Sequence, residues 1–222
     1  MAALMPSQEA RIVFLSQGLK LEGQFTAPRR PPGRAAVVCH PHPQFGGNMD
    51  NNVVVAVAEA LAEAGLGSLR FNFRGVGLSQ GGYDFMTGEI ADVKAALAFL
   101  KARPEVAPAE VSLVGYSFGG LMALYAAAET KDLSALVLIS PMVPAKGFAH
   151  DPRLQPLSGS SWPALACTGD QDAYCSPKAL AGLAKLLPCR TRIFPDADHF
   201  WSGRDDAVAQ VVAEFLSKGS EF

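Results

Sequence analysis

Val114-Gly115-Tyr116-Ser117-Phe118-Gly119-Gly120 is the stretch around which the chain organises itself. Val111-Ser112-Leu113-Val114 runs into it as a short apolar segment, the pattern of a buried strand. Leu121-Met122-Ala123-Leu124-Tyr125-Ala126-Ala127-Ala128 runs out of it as a small-residue apolar helix. Between the two lies Gly-x-Ser-x-Gly, a sharp strand-to-helix turn with one hydroxyl at its tip. The two glycines leave room where a Cβ would collide. The helix that starts near Phe118 aims unpaired N–H groups at the turn, a setting that favours a developing oxyanion. Ser117 is therefore the candidate nucleophile.

A serine hydroxyl needs a base, and the base needs an orienting acid. In turns of this kind the chain order is serine, then acid, then histidine. Two histidines follow Ser117, namely His150 and His199. His150 falls in an irregular stretch ahead of the best acid. His199 sits just past the last strand, in Pro195-Asp196-Ala197-Asp198-His199-Phe200-Trp201, and is the expected base. Asp170 and Asp172 compete for the acid in Thr168-Gly169-Asp170-Gln171-Asp172. Asp172 lies further into the loop and is preferred, with Asp170 expected to stabilise the turn through its own backbone. Asp196 and Asp198 are too close in sequence to face the His199 ring.

The backbone of Phe118 is one expected oxyanion donor. The second should come from His40-Pro41-His42-Pro43-Gln44-Phe45-Gly46-Gly47, after the apolar run Ala35-Ala36-Val37-Val38-Cys39. Pro41 and Pro43 have no N–H. The His42 backbone is preferred and Gln44 held in reserve. Phe45, Met142, Phe200 and Trp201 are candidates for an apolar acyl pocket.

The remaining chain reads as an opening hairpin followed by alternating strands and helices. Strands are expected at Arg11-Ile12-Val13-Phe14, 19–26, 35–39, 69–73, 111–114, 133–139, 164–168 and 192–194. Helical spacing links Val54, Val57, Ala58 and Leu61, then Ile90, Val93, Leu97 and Leu100, then Val208, Val211, Val212, Phe215 and Leu216. A further helix opens at Ser176-Pro177, with the serine as cap. That alternation implies an α/β fold, a mostly parallel sheet with helices on both faces. No composition shift divides the chain, so residues 1–218 are expected to form one domain. The stretch 141–162 could cover the site edge but is too short for a cap domain. Gly219-Ser220-Glu221-Phe222 has the form of a cloning remnant.

At 222 residues with 49% hydrophobic content, the chain can bury one sizeable core. A formal net charge of −2 with no basic run argues against a nucleic-acid partner. No apolar run approaches the roughly 20 residues that span a bilayer, and no signal pattern opens the chain, so a cytoplasmic location is expected. Cys39, Cys167, Cys175 and Cys189 make no paired metal-ligand spacing, and Cys39-His40-Pro41-His42 is too compact to converge on one ion, so no metal is expected. Gly75-Val76-Gly77 lacks the third glycine of a dinucleotide fingerprint; it reads as a tight loop anchored by Arg74. The strand near Ile193 and the last helix could pair with another chain, which leaves a homodimer open.

The elbow, the two loops and the order of the triad together resemble the α/β hydrolases over nearly the whole chain. More narrowly, His40-Pro41-His42-Pro43 with Gly46-Gly47 and Met49-Asp50-Asn51, followed by Phe71-Asn72-Phe73-Arg74-Gly75-Val76-Gly77, resembles a small bacterial subgroup. That subgroup is lidless, single-domain and dienelactone-hydrolase-like or esterase-like in shape. The resemblance implies an eight-stranded sheet with an antiparallel second strand and serine hydrolase chemistry. Dienelactone hydrolases proper carry cysteine at the elbow, and haloalkane dehalogenases and epoxide hydrolases carry aspartate. Ser117 departs from both and points to ordinary esters. The expected activity is cofactor-independent hydrolysis of a small ester, favouring short acyl groups. A thioesterase or amidase with the same triad, or a binding protein that kept the fold without turnover, are the alternatives.

Overall fold

The computed structural model describes residues 9–218. The expected cloning remnant at 219–222 lies outside the described residues. The strands are β1 (Glu9–Ser16), β2 (Leu19–Thr26), β3 (Gly33–Cys39), β4 (Gly67–Phe71), β5 (Val106–Tyr116), β6 (Leu136–Ile139), β7 (Ala164–Gly169) and β8 (Arg190–Phe194). They form one eight-stranded sheet in the order β1-β2-β4-β3-β5-β6-β7-β8. β2 runs antiparallel to both its neighbours, and every pairing from β4 through β8 is parallel. The helices are α1 (Asn52–Glu63), α2 (Thr87–Lys101), α3 (Phe118–Ala128), α4 (Pro177–Ala184) and α5 (Asp205–Lys218).

The continuous apolar run of β3 explains why the sheet needs cover on both sides. Side chains alternate across a strand. Ala35, Val37 and Cys39 enter one core layer; Ala36 and Val38 enter the other. The first layer is closed by α2, α3 and α4 through residues such as Val93, Leu121 and Leu180. The second is closed by α1 and α5, where Val53, Val57 and Leu61 share a layer with Val208, Val212 and Phe215. Local chemistry sets the helix starts. The Asn51 side chain accepts the Val53 N–H, and Ser176 accepts the Ala179 N–H ahead of Pro177.

Several boundaries differ from the sequence reading, three of them by enough to matter. The strand expected at 69–73 is Gly67–Phe71, because the Phe73 N–H leaves the sheet for a side chain. Asn72 donates to the Glu22 carbonyl at 3.1 Å, and Phe73 to the His40 ring at 3.1 Å. The strand expected at 133–139 is Leu136–Ile139. The short strand into the elbow is the longest of the sheet, Val106–Tyr116.

The 141–162 connection reaches the site edge through Met142, which lines the cavity beside Ser117, and the rest of it packs away from the site. It forms short 3-10 turns whose Phe148, Leu154 and Leu157 are buried in the first core layer. The Tyr125 hydroxyl on α3 donates to Asp151 at 2.6 Å and ties the segment down. The site face therefore carries no large cap.

Arg74 anchors its loop as expected. Its guanidinium meets Asp92 of α2 in two contacts, 2.8 and 3.0 Å, and its own N–H donates to the same carboxylate at 3.0 Å. Both side chains are buried. Such a pair fixes one loop position more than it adds net stability, since removing charges from water offsets their attraction.

Candidate active site

β5 delivers Ser117 to the carboxyl edge of the sheet, and α3 begins at the next residue. Ser117 sits at φ 54°, ψ −118°, a backbone region that non-glycine residues seldom occupy. The flanking glycines permit the turn by close approach. A Cβ on Gly115 would lie 2.4 Å from the Gly119 carbonyl oxygen. One on Gly119 would lie 2.4 Å from the Cys39 carbonyl oxygen at the end of β3. The elbow and the loop after β3 thus touch backbone to backbone.

The structure brings Ser117, His199 and Asp172 together from the ends of β5, β8 and β7. Ser117 Oγ lies 2.9 Å from His199 Nε2, and His199 Nδ1 lies 3.0 Å from Asp172 Oδ1. Asp172 is 3% exposed and His199 9%. Burial raises the Asp172 pKa, but hydrogen bonds from His199, the Cys175 N–H and the Ser140 hydroxyl outweigh it, so the net value is below the ordinary carboxylate range. The carboxylate is ready to hold the imidazole in one tautomer with Nδ1 protonated, leaving Nε2 as acceptor for the serine proton.

Asp170 is a turn residue, though it does not bond its own backbone. Its Oδ1 accepts the Asp196 N–H at 2.9 Å and so clamps the β7 loop to the histidine loop. Asp198 accepts the Phe200 and Ser202 N–H groups and caps the same loop. His150 is exposed on its 3-10 turn and takes no part.

The loop after β3 is ordered by its two histidines. His40 is fully buried; its Nδ1 donates to the Pro41 carbonyl at 2.6 Å and its Nε2 accepts the Phe73 N–H. Both ring nitrogens are used by a neutral imidazole. Burial, partly offset by the Pro41 carbonyl, lowers the His40 pKa from 6.5 to about 4. The His42 Nδ1 accepts the Gln44 N–H at 3.2 Å. Gln44 is thereby committed, whereas the N–H groups of His42 and Phe118 have no acceptor among the described residues. The His42 ring also packs on Phe118, with centroids 4.7 Å apart.

The His40 arrangement has a pH signature. Its folded pKa lies below that of the unfolded chain, so the unfolded chain takes the proton first as pH falls. Stability from this group is present above pH 6.5 and drains away between 6.5 and about 4, by roughly 2 kcal/mol at pH 5. Urea unfolding at pH 7.5 and pH 5 should show that loss in the wild type and a flatter dependence in His40→Asn. Equal pH dependence in the two proteins would refute it.

Ser117 and His199 open into a cavity of about 370 Å³, walled by Phe45, Met142, Tyr174 and Phe200. Phe45 is 86% exposed, so the cavity mouth is open. Trp201 does not line it, contrary to the sequence reading. Its ring is fully buried against Phe194, and its indole N–H donates to Ser140 Oγ at 3.1 Å. Among the described residues no group of three or more His, Cys, Asp or Glu side chains could hold a metal ion. No helix among them is long and apolar enough to cross a membrane.

Four supporting residues escaped the sequence reading. The Tyr116 hydroxyl donates to the His199 carbonyl at 2.8 Å and fixes the backbone of the base. The Tyr174 ring lies on the imidazole at 4.7 Å. Ser140 links Trp201 to Asp172, and Thr168 donates to the Cys175 carbonyl beneath the acid. Only Tyr116 had a usable signal, because it occupies the first variable position of the elbow.

A mostly parallel sheet with a serine elbow at its carboxyl edge, and an acid and a histidine from later strand-end loops, defines the α/β hydrolase class of architecture. The family model for the alpha/beta hydrolase domain matches residues 34–214, and the chain belongs to that family. It is 30% identical over 213 residues to an uncharacterized protein of Rickettsia prowazekii, covering 93% of this chain and 88% of the relative. An alpha-beta serine hydrolase homologue from Coxiella burnetii superimposes with a TM-score of 0.79 at 29% identity, covering 96% of this chain and 99% of that one. XC6422 from Xanthomonas campestris, a serine hydrolase without lid, gives 0.79 at 28% identity over 96% and 95%.

Proposed function

We propose that this chain is a serine esterase acting on small carboxylic esters through Ser117, His199 and Asp172. The observation that carries the reading is the 2.9 Å contact from Ser117 Oγ to His199 Nε2, backed by the 3.0 Å contact from His199 Nδ1 to Asp172. His199 takes the serine proton as Oγ attacks the ester carbonyl. The oxyanion is received by the N–H groups of Phe118 and His42, each such donor typically worth about 3 kcal/mol of barrier. Collapse expels the alcohol, which takes its proton from His199. Water, deprotonated by the same imidazole, then releases the acid. Asp172 stays ionised and stabilises the imidazolium.

The walls formed by Phe45, Met142, Tyr174 and Phe200 suit an apolar acyl group. The absence of a cap leaves little surface for a long chain, which favours short acyl groups. Activity across p-nitrophenyl esters from acetate to dodecanoate tests this, with kcat/KM expected to peak at the short end; no turnover of any member would defeat the esterase reading. Matched ester, thioester and amide substrates identify the leaving group. Labelling of Ser117 by a fluorophosphonate separates an enzyme from a non-catalytic binding protein.

A further inference from the structure

Beside the triad cavity lies a second, larger hollow of about 670 Å³, and the Gly46-Gly47 turn lines both. The mechanism above makes no use of it. Its walls come from Arg11 on β1, Glu22 on β2 and the loops after β3 and β4. Arg11, Glu22, Asn48, Asp50 and Asn72 line it, with none of the aromatic side chains that wall the triad cavity.

Glu22 is held in place. Its Oε1 accepts the Asn72 side-chain N–H at 2.7 Å and the Leu78 N–H at 2.6 Å. Asn72 is itself buried and fixed, because its Oδ1 accepts the Met49 N–H at 2.8 Å. The carboxylate is thus positioned by neutral donors, with no cation paired to it among the described residues. The Arg11 side chain, on the same hollow, makes no hydrogen bond or ion pair among the described residues. Asp50 is already paired with Arg70. With Asp50 neutralised by Arg70, the hollow presents one carboxylate, Glu22, and one guanidinium, Arg11, each unpaired among the described residues, so neither a net anion nor a net cation is favoured. A fixed carboxylate beside an uncommitted guanidinium offers an acceptor and a donor together, which suits neighbouring hydroxyl groups, since each hydroxyl both donates and accepts.

We infer that this hollow is the alcohol subsite of a two-part active site and takes a neutral, hydroxyl-rich alcohol such as a glycerol or sugar moiety. The inference rests on the esterase reading above. The apolar cavity holds the acyl group, and the alcohol extends past Gly46-Gly47 toward Glu22 and Arg11. The loop sequence Phe71-Asn72-Phe73-Arg74-Gly75-Val76-Gly77 thereby gains a use. Arg74 fixes the loop to α2, and Asn72 fixes the carboxylate that reads the substrate.

The test compares butyrate esters that differ only in the alcohol: methyl butyrate, 1-monobutyrin, 6-O-butyryl-glucose and butyrylcholine. The wild type should show kcat/KM at least tenfold higher on one or both polyol esters than on methyl butyrate, mainly through KM, with no such gain for butyrylcholine. Monobutyrin and the glucose ester distinguish a glycerol from a sugar moiety. Arg11→Ala and Glu22→Gln should each shrink the polyol-to-methyl ratio at least threefold; the glutamine keeps an oxygen for Asn72 and Leu78, so the loop stays tethered. A wild-type ratio within twofold of one overturns the subsite and leaves the esterase reading standing. So does a polyol preference that both variants retain. Absence of turnover on all four esters and on the p-nitrophenyl series overturns both.

Discussion

Ser117→Ala is expected to lower kcat on a short p-nitrophenyl ester by on the order of 10⁶-fold, the scale seen when a triad nucleophile is removed. The size follows from how the triad acts as a unit. Without Oγ there is no acyl-enzyme, and His199 and Asp172 have no proton to move. What survives is the weaker help of the Phe118 and His42 N–H groups. The fold should tolerate the change, because the hydrogen bond that Oγ makes is the one to His199. The Ser117 backbone still donates to the Ile139 carbonyl at 2.9 Å and accepts from Gly120 and Leu121. The melting temperature should therefore move by only a few degrees, while fluorophosphonate labelling disappears. A variant that keeps more than a tenth of the wild-type rate would show that another group is the nucleophile.

Asp172→Asn should cost about 10⁴-fold in kcat, and Asp170→Asn less than threefold. The Asp172 Oδ1 accepts the Tyr174 and Cys175 N–H groups at 2.8 Å each. An asparagine would keep its carbonyl oxygen there, so its NH₂ would face His199 Nδ1. Nδ1 must then accept, the ring proton moves to Nε2, and Nε2 can no longer take the serine proton. Asp170 holds only the Asp196 N–H and touches no part of the imidazole. Steady-state kinetics of the two variants at pH 8 decide between them, and a larger loss in Asp170→Asn would reverse the assignment. Asp172 also carries a stability signature. Its folded pKa is depressed, so its contribution is present above the unfolded value of about 3.9 and is lost as pH falls through the lower folded value.

Much of the architecture was legible because burial leaves periodic marks. β3 reads as doubly buried from five apolar residues in a row, and its alternate side chains do enter opposite layers. The caps at Asn51 and Ser176 act through local hydrogen bonds and depend on nothing distant. Strand ends were less legible. Phe73 has the composition of a strand residue, yet its N–H goes to His40, 33 positions earlier. Trp201 looked like a pocket residue because aromatic side chains suit pockets and cores equally. Its burial against Phe194 is decided by how α5 and the β8 loop pack.

The amino-acid order alone determined the elbow, the α/β alternation and the residues able to serve as nucleophile, acid and base. These follow from sterics, burial and side-chain chemistry within short windows. Only the tertiary structure decided which of those residues meet. It brought Asp172 to the imidazole and set Asp170 to clamping the neighbouring loop. It committed the Gln44 N–H to a histidine ring while leaving that of His42 without an acceptor among the described residues, and it drew Glu22, Asn72 and Arg11 around a hollow that shares the Gly46-Gly47 turn with the triad cavity. Hydrogen bonds and cavities join groups tens of residues apart, and the folded arrangement of the strand-end loops sets those distances.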